Sequence, residues 1–245
     1  MKTGSKICIL AQCADWNKYN GESEVIMYHV VVDLEMNPIS RDFREIRRSL
    51  NDEVIEIGAV KLGDDFLETS RFQCYVKPEY GKIRKQITKL TGITDETVAD
   101  KKNFAVCFND FVEWIGTEPV MLYSWSMSDL KQLRKECRLK LPAFDINSLA
   151  QNWVDLQKQF DDRLGLTNSL ALQHALGAMN HRFEGIQHTA LADALNTGAI
   201  LTLMQDEENF LRTMRPVIDL LKPTEGLSTS IGDLCPELLN LKKEL

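Results

Sequence analysis

Tyr28-His29-Val30-Val31-Val32-Asp33-Leu34-Glu35 is the stretch from which the fold can be read. A run of β-branched, apolar residues marks a buried strand. It ends in two carboxylates separated by one residue. On an extended chain residues i and i+2 share a face, so Asp33 and Glu35 present their oxygens to one point at the strand's end. Two like charges this close repel and resist burial. A divalent cation between them removes the conflict, because hard cations select carboxylate oxygen. Taken alone, the pair reads equally well as a strand end followed by a solvated glutamate, so further ligands have to come from elsewhere in the chain.

Downstream of this strand, Asn37-Pro38-Ile39-Ser40 is a turn that can cap a helix over Arg41 to Leu50. Phe43, Ile46 and Leu50 share one face of that helix, with Arg41, Arg44, Arg47 and Arg48 elsewhere. Val54 to Leu62 is a second strand, Gly63-Asp64-Asp65 a hairpin signal, and Phe66 to Val76 a third strand. A connection containing Pro78 and Gly81 carries Lys82, Arg84 and Lys85. Phe104 to Ile115 has helical spacing, and Val120 to Trp125 is a fourth strand. Ser128 reads as the N-cap of a helix to about Arg138. Phe144-Asp145-Ile146 is a short fifth strand, with Asn147 capping a helix to about Phe160. Further helices are expected over about Asn168 to Met179 and, after a break at Gly185, from Thr189 to about Gln205. Pro216 and Pro223 divide the remainder into short helical pieces. Upstream, Lys6 to Leu10 can form a strand. Strands followed by alternating strands and helices indicate an α/β domain with a mixed sheet. The organisation expected is an N-terminal extension (1–24), a central domain (25–206) and a C-terminal helical tail (207–245).

The chain of 245 residues is 44% hydrophobic, enough for one large core. Its formal charge of −7 supplies no global field that attracts polyanions. A nucleic-acid ligand would need a local basic patch or bound metal. Lys82, Arg84, Lys85, Lys131, Arg134 and Lys135 can form such a patch, or simply face solvent. The six cysteines show no CxxC pair and no framework spacing. They are expected to be reduced thiols in a cytoplasmic protein, without disulfides or zinc. The apolar run at Ile7 to Ala11 is too short for a signal peptide, and no run reaches the ~20 residues needed to span a bilayer.

Two further features match the opening pair. Asp129 follows the fourth strand where a helix begins, and strand ends are where α/β sheets place their sites. A helix N-terminus also favours the charged carboxylate that a metal ligand requires. The second feature is His188-Thr189-Ala190-Leu191-Ala192-Asp193. Gly185 places His188 in the loop before the helix and Asp193 within it. An imidazole beside carboxylate-held metal is well placed to take a proton from water. His29, His174 and His181 read as ordinary core or surface histidines.

Asp33-x-Glu35, Asp129 and His188-x4-Asp193, in this order and on these elements, resemble the three motifs of the DEDDh 3′–5′ exonucleases. Glu56-Ile57-Gly58-Ala59-Val60, Leu90-Thr91-Gly92-Ile93 and Asp193-Ala194-Leu195-Asn196-Thr197 also resemble stretches of that family, over about Tyr28 to Leu203. Trp125 to Leu133 is similar to the second motif of the KapD-like and Eri-type branch, with Ser126 where glycine is usual. Met36-Asn37 departs from the Thr-Thr-Gly of proofreading subunits. The resemblance implies a ribonuclease H-like fold: a mixed five-stranded sheet with one antiparallel strand, flanked by helices. It implies that Asp33, Glu35, Asp129 and Asp193 hold two divalent cations, Mg²⁺ or Mn²⁺, with His188 as the base. The expected activity is hydrolysis from the 3′ ends of single-stranded RNA or DNA, releasing nucleoside 5′-monophosphates. Met36 and Leu90 match positions that contact the terminal nucleotide, and ordinary core packing accounts for them as well. A GxxxxGK[ST] loop, a GxGxxG fingerprint and a GxSxG elbow are all missing. The alternatives are a degenerate module that binds nucleic acid or a protein partner without cutting, and a phosphodiesterase acting on short oligonucleotides.

Overall fold

The computed structural model describes residues 26–221, with side chains as far as Asp219. The strand expected at Lys6 to Leu10 and the break expected at Pro223 lie outside the described residues.

Five strands form one sheet: β1 (Tyr28–Pro38), β2 (Asp52–Leu62), β3 (Glu68–Tyr75), β4 (Val120–Ser124) and β5 (Trp153–Asp155). Their order is β3-β2-β1-β4-β5. β2 runs antiparallel to β1 and β3, while β4 lies parallel to β1 and β5 parallel to β4. The one antiparallel strand is therefore β2, and the α/β, ribonuclease H-like architecture is as expected.

β1 is central because both of its faces are covered, so its core reads as an unbroken apolar run rather than an alternation. Val30, Val32 and Leu34 pack with α3 (Phe104–Ile115) and α4 (Ser128–Lys140). Val31 faces the other side, with α6 (Leu156–Leu164), α8 (Ala190–Gln205) and α9 (Glu207–Leu221). Between these come α1 (Lys85–Thr91) and α2 (Asp95–Val98) before α3, α5 (Asn147–Ala150) before β5, and α7 (Leu172–Ala178) before α8. No helix among the described residues is long and apolar enough to cross a membrane.

Several local expectations are corrected. Residues 41–50 are not a helix but a connection with one 3₁₀ turn at Ile46–Arg48. Ile39 and Leu50 are both buried, and the Ile39 N–H is donated to the Asn51 carbonyl, so the segment is pinned at its ends. The fifth strand is Trp153–Asp155, not Phe144 to Ile146, and it interrupts the helix expected from Asn147 to Phe160. Phe144 instead sets its ring edge-on against Phe108. Met127, not Ser128, is the N-cap of α4. α1 is a helix where only a connection was expected. α9 runs through Pro216 unbroken, because Phe210 and Met214 are buried in the core just before it. The cysteines are also not all separate. Cys74 on β3 and Cys107 on α3 are paired as a disulfide, their Cα atoms 6.2 Å apart, since the helix lies directly on the edge of the sheet. Cys137 is free and buried.

Candidate active site

The site is built where β1 meets the N-terminus of α8. Asp33 lies opposite Gly58 on β2, and Glu35 opposite Glu56. A side chain at position 58 has no room: a Cβ there would stand 2.1 Å from the Ala190 carbonyl carbon and the Leu191 nitrogen. Only glycine lets the first turn of α8 rest on the β2 backbone, and that contact brings Asp193 and the preceding loop to Asp33 and Glu35. Just beyond Glu35 the register shifts, with Ile55 as an extra residue on β2. Such bulges re-aim the neighbouring side chains.

The loop before α8 is shaped around His188, whose backbone is left-handed (φ 62°). For a residue with a Cβ that conformation costs about 1–3 kcal/mol and persists only where neighbours impose it. Asn196 supplies much of that constraint. It is buried, its Oδ1 accepts from Glu184 N at 3.0 Å, and its Nδ2 donates to the carbonyls of Glu184 (2.9 Å) and Ala192 (2.7 Å). Thr189 donates to the Ile186 carbonyl at 2.9 Å. The His188 N–H is donated to the Asp193 carboxylate. One nitrogen of the His188 ring and one oxygen each of Glu35 and Asp193 lie within 4.8 Å of one another.

Asp129, in the first turn of α4, closes the site from the β4 side. It is buried and accepts from its own N–H, from Ser128 and from the Leu34 N–H of β1, which tethers it between Asp33 and Glu35. The turn from β4 into α4 is braced by side chains. Trp153 donates to Ser124 Oγ at 2.9 Å, Ser124 bonds the Ser126 carbonyl, and Ser126 and Ser128 share a hydroxyl contact of 2.6 Å. Ser126 is not in the left-handed region. Serine therefore fits where glycine is usual.

A fifth acid joins the four expected. Glu56 is fully buried, and its carboxylate accepts from Gln73 Nε2 at 2.7 Å and from the Ala190 N–H at 3.1 Å. It holds the first residue of α8 in place. The sequence signal was its position opposite Glu35, visible only once the register of β1 and β2 is known. Burial is the main cause of the raised carboxyl groups, and mutual repulsion adds to it. Asp33 is held well above the usual carboxylate range by burial, then by Asp129, Asp193, Glu35 and Glu56. Glu35 is pushed up to about 8 by burial and by Asp193, Glu56 and Asp129. Asp129 rises to about 7 and Asp193 to about 6, the latter against the lowering effect of His188. None of the five forms an ion pair with lysine or arginine among the described residues. Five crowded acids without a lysine or arginine partner among the described residues form a donor set that fits hard divalent cations.

Leu90, on α1, is 49% exposed, whereas Met36 is half-buried and touches the core beneath β1. Lys131, Arg134 and Lys135 are carried by α4, while Lys82, Arg84 and Lys85 lie on the turn into α1. His29 is a core residue, bonded to Tyr123 at 3.0 Å and stacked on Phe66 at 4.1 Å.

The exonuclease family model RNase_T matches residues 30–201. The DNA polymerase III epsilon subunit of Buchnera aphidicola is 26% identical over 159 residues, covering 63% of this chain and just under two thirds (66%) of that protein. The probable 3′-5′ exonuclease KapD of Bacillus subtilis is 25% identical over 184 residues, covering 74% and 84%. Among solved structures, the nuclease domain of 3′hExo, a DEDDh family member bound to rAMP, superposes with a TM-score of 0.59. That match has 24% identity over 73% of this chain and 92% of that one.

Proposed function

Since the chain belongs to the exonuclease family whose model spans residues 30–201, we propose that it is a metal-dependent 3′–5′ exonuclease acting on single-stranded nucleic acid. The observation that carries this reading is the electrostatic coupling of Asp33, Glu35, Asp129 and Asp193, with no lysine or arginine paired to them among the described residues and with His188 within 4.8 Å of Glu35 and Asp193. These four carboxylates would hold two divalent cations, Mg²⁺ or Mn²⁺. Bound there, the cations would reverse the sign of the local field, acidify a water and stabilise the leaving oxygen.

His188 accepts the proton of the attacking water on a ring nitrogen. Its backbone bond to Asp193 and the Asn196 clamp keep the imidazole beside Glu35. The bond from water oxygen to phosphorus forms and the P–O3′ bond breaks, leaving a nucleoside 5′-monophosphate and a strand shortened by one. Exposed Leu90 and half-buried Met36 would pack against the terminal base and sugar.

The test uses 5′-labelled RNA and DNA strands with Mg²⁺ or Mn²⁺, for wild type, Asp33→Asn and His188→Ala. Stepwise shortening of free 3′ ends that both substitutions abolish is expected. Equal cutting of 3′-blocked strands would refute the reading, and Mn²⁺-independent binding without cleavage would indicate a degenerate module.

A further inference from the structure

We propose that the groove between the β1–β2 connection and the turn into α1 is a phosphodiester-binding subsite. It would hold the nucleic-acid strand on the 5′ side of the terminal nucleotide. This rests on the exonuclease reading above and adds to it a place for the uncut part of the substrate.

The groove begins where β1, the strand that carries Asp33 and Glu35, ends. One wall comprises Pro38, at the end of β1, with Arg41 and Phe43 of the β1–β2 connection. The other is Gly81 to Lys85. Pro38 lies three residues past Glu35, about 10 Å at the ~3.3 Å rise of a strand. Lys85 begins α1, the helix that carries Leu90 near its other end. Both walls thus lead away from the point where the terminal nucleotide is expected. The cavity is about 770 Å³, within the roughly 300–1,000 Å³ range of small-ligand sites.

Its charge is opposite to that of the chain as a whole. Arg41, Lys82, Arg84 and Lys85 line it, against the single acid Asp42. Asp42 accepts from the Ser40 hydroxyl at 3.0 Å, and its one charge leaves the lining net positive. None of the four cations forms an ion pair among the described residues. Several cations lining one groove, none of them held in an ion pair, suit a phosphate backbone. Phe43 adds an aromatic surface, 39% exposed although its ring meets Tyr80 edge-on at 5.5 Å. A base can stack on such a ring without regard to sequence.

The walls are also fixed in place. Asn37, fully buried, accepts from Arg84 N at 2.9 Å and donates to the Lys82 carbonyl at 3.2 Å. Glu53 accepts the N–H groups of Glu79 and Tyr80, both at 2.8 Å. Ser40 N donates to the Tyr80 carbonyl, and Arg84 Nη2 to the Ile39 carbonyl. Gly81 (φ 142°) lets the two walls touch, since a Cβ there would meet Ser40 at 3.1 Å. A groove this well braced loses little freedom when a strand enters.

The experiment compares wild type with Arg41→Gln/Lys85→Gln, two exposed cations whose side chains make no hydrogen bond among the described residues. Substrates are labelled oligonucleotides from two to twelve nucleotides and the p-nitrophenyl ester of thymidine 5′-monophosphate, with Mn²⁺. The double variant should raise KM for the long strands about tenfold while leaving hydrolysis of the ester unchanged. Its salt slope for binding should fall by about 1.4, at ~0.7 per lost phosphate contact on single strands. Unchanged KM along the whole ladder, or an equal loss on the ester, would overturn the proposal. If wild type hydrolyses neither substrate, the exonuclease reading fails instead. Anisotropy of a labelled twelve-mer then decides the groove by itself: weaker binding by the variant supports it and equal binding overturns it.

Discussion

Gly58→Ala tests whether the site depends on the close seating of α8 upon β2. The added methyl would stand 2.1 Å from two backbone atoms, where ordinary contact begins at 3.4 Å, so the gap must open by about 1.3 Å. Neither obstacle is a side chain that could rotate away. The far half of α8 is locked by buried Ile200, Leu201 and Met204, so the helix pivots and its N-terminus takes most of the movement. Asp193 and His188 then shift by about 1 Å relative to Asp33 and Glu35, a displacement that costs roughly 10²-fold in rate. Overpacking destabilises by about 1–3 kcal/mol, less than the loss that would unfold a typical domain. Single-turnover release of a 3′-labelled nucleotide with Mn²⁺, measured alongside Tm, separates the two effects. Gly177→Ala is the control, because its added methyl meets nothing within 4 Å. It should stabilise by about 0.5–1 kcal/mol and leave the rate unchanged. A Gly58→Ala protein that is folded and turns over within threefold of wild type would refute the reasoning.

Three other outcomes are expected. The carboxyls of Glu35, Asp129 and Asp193 are raised to about 8, 7 and 6. Groups raised in the folded state favour folding below their unfolded pKa and lose that contribution as pH climbs through the folded values. The metal-free Tm should therefore fall between about pH 5 and 8, and the gain on adding Mn²⁺ should grow over the same window. At 100 times Kd that gain is about 2.7 kcal/mol, and a Tm that Mn²⁺ leaves unmoved at pH 8 would contradict it. Asn196→Ala releases the loop at Glu184, and kcat should drop at least tenfold with little change in KM; hydrogen exchange at residues 184–189 checks that the loop has loosened. Lys140, 5% exposed, bridges Glu53 at 2.9 Å and Glu136 at 2.8 Å. Lys140→Ala leaves two buried carboxylates without their cation and should cost about 3–5 kcal/mol in urea denaturation.

The long elements could be read from the sequence because their patterns extend over more than two turns or pleats. The apolar stretch of β1, the spacing of Phe104, Phe108 and Phe111, and the break at Gly185 before Ala190 all carry their own signal. Failures came where a distant segment decides the local conformation. Phe43, Ile46 and Leu50 have helical spacing, yet hydrogen bonds from Ile39 to Asn51 and from Ser40 to Tyr80 hold the chain open. β5 has three residues, too few for any period, and exists because Leu122, Tyr123 and Ser124 offer it a parallel edge. Cys74 and Cys107 are 33 residues apart, so their spacing gave no sign of contact.

The acids of the site were legible for a different reason. Asp129 and Asp193 sit in the first turns of α4 and α8, while Asp33 and Glu35 lie on the central strand beyond its pairing with β4, the region where sheets of this kind gather their sites. Glu56 was missed because its partner Ala190 is 134 residues away. Its placement is costly as protein structure: like charges opposite each other across an antiparallel pair are destabilising, and Glu56 faces Glu35 in that way. Two donors, Gln73 and the α8 backbone, satisfy Glu56. Glu35, also buried, has no such donors among the hydrogen bonds of the described residues and is pushed up to about 8. The fold thus stabilises one carboxylate of the pair with its own N–H groups. The other has no such donors among the described residues, and under the proposed function a divalent cation would meet its charge.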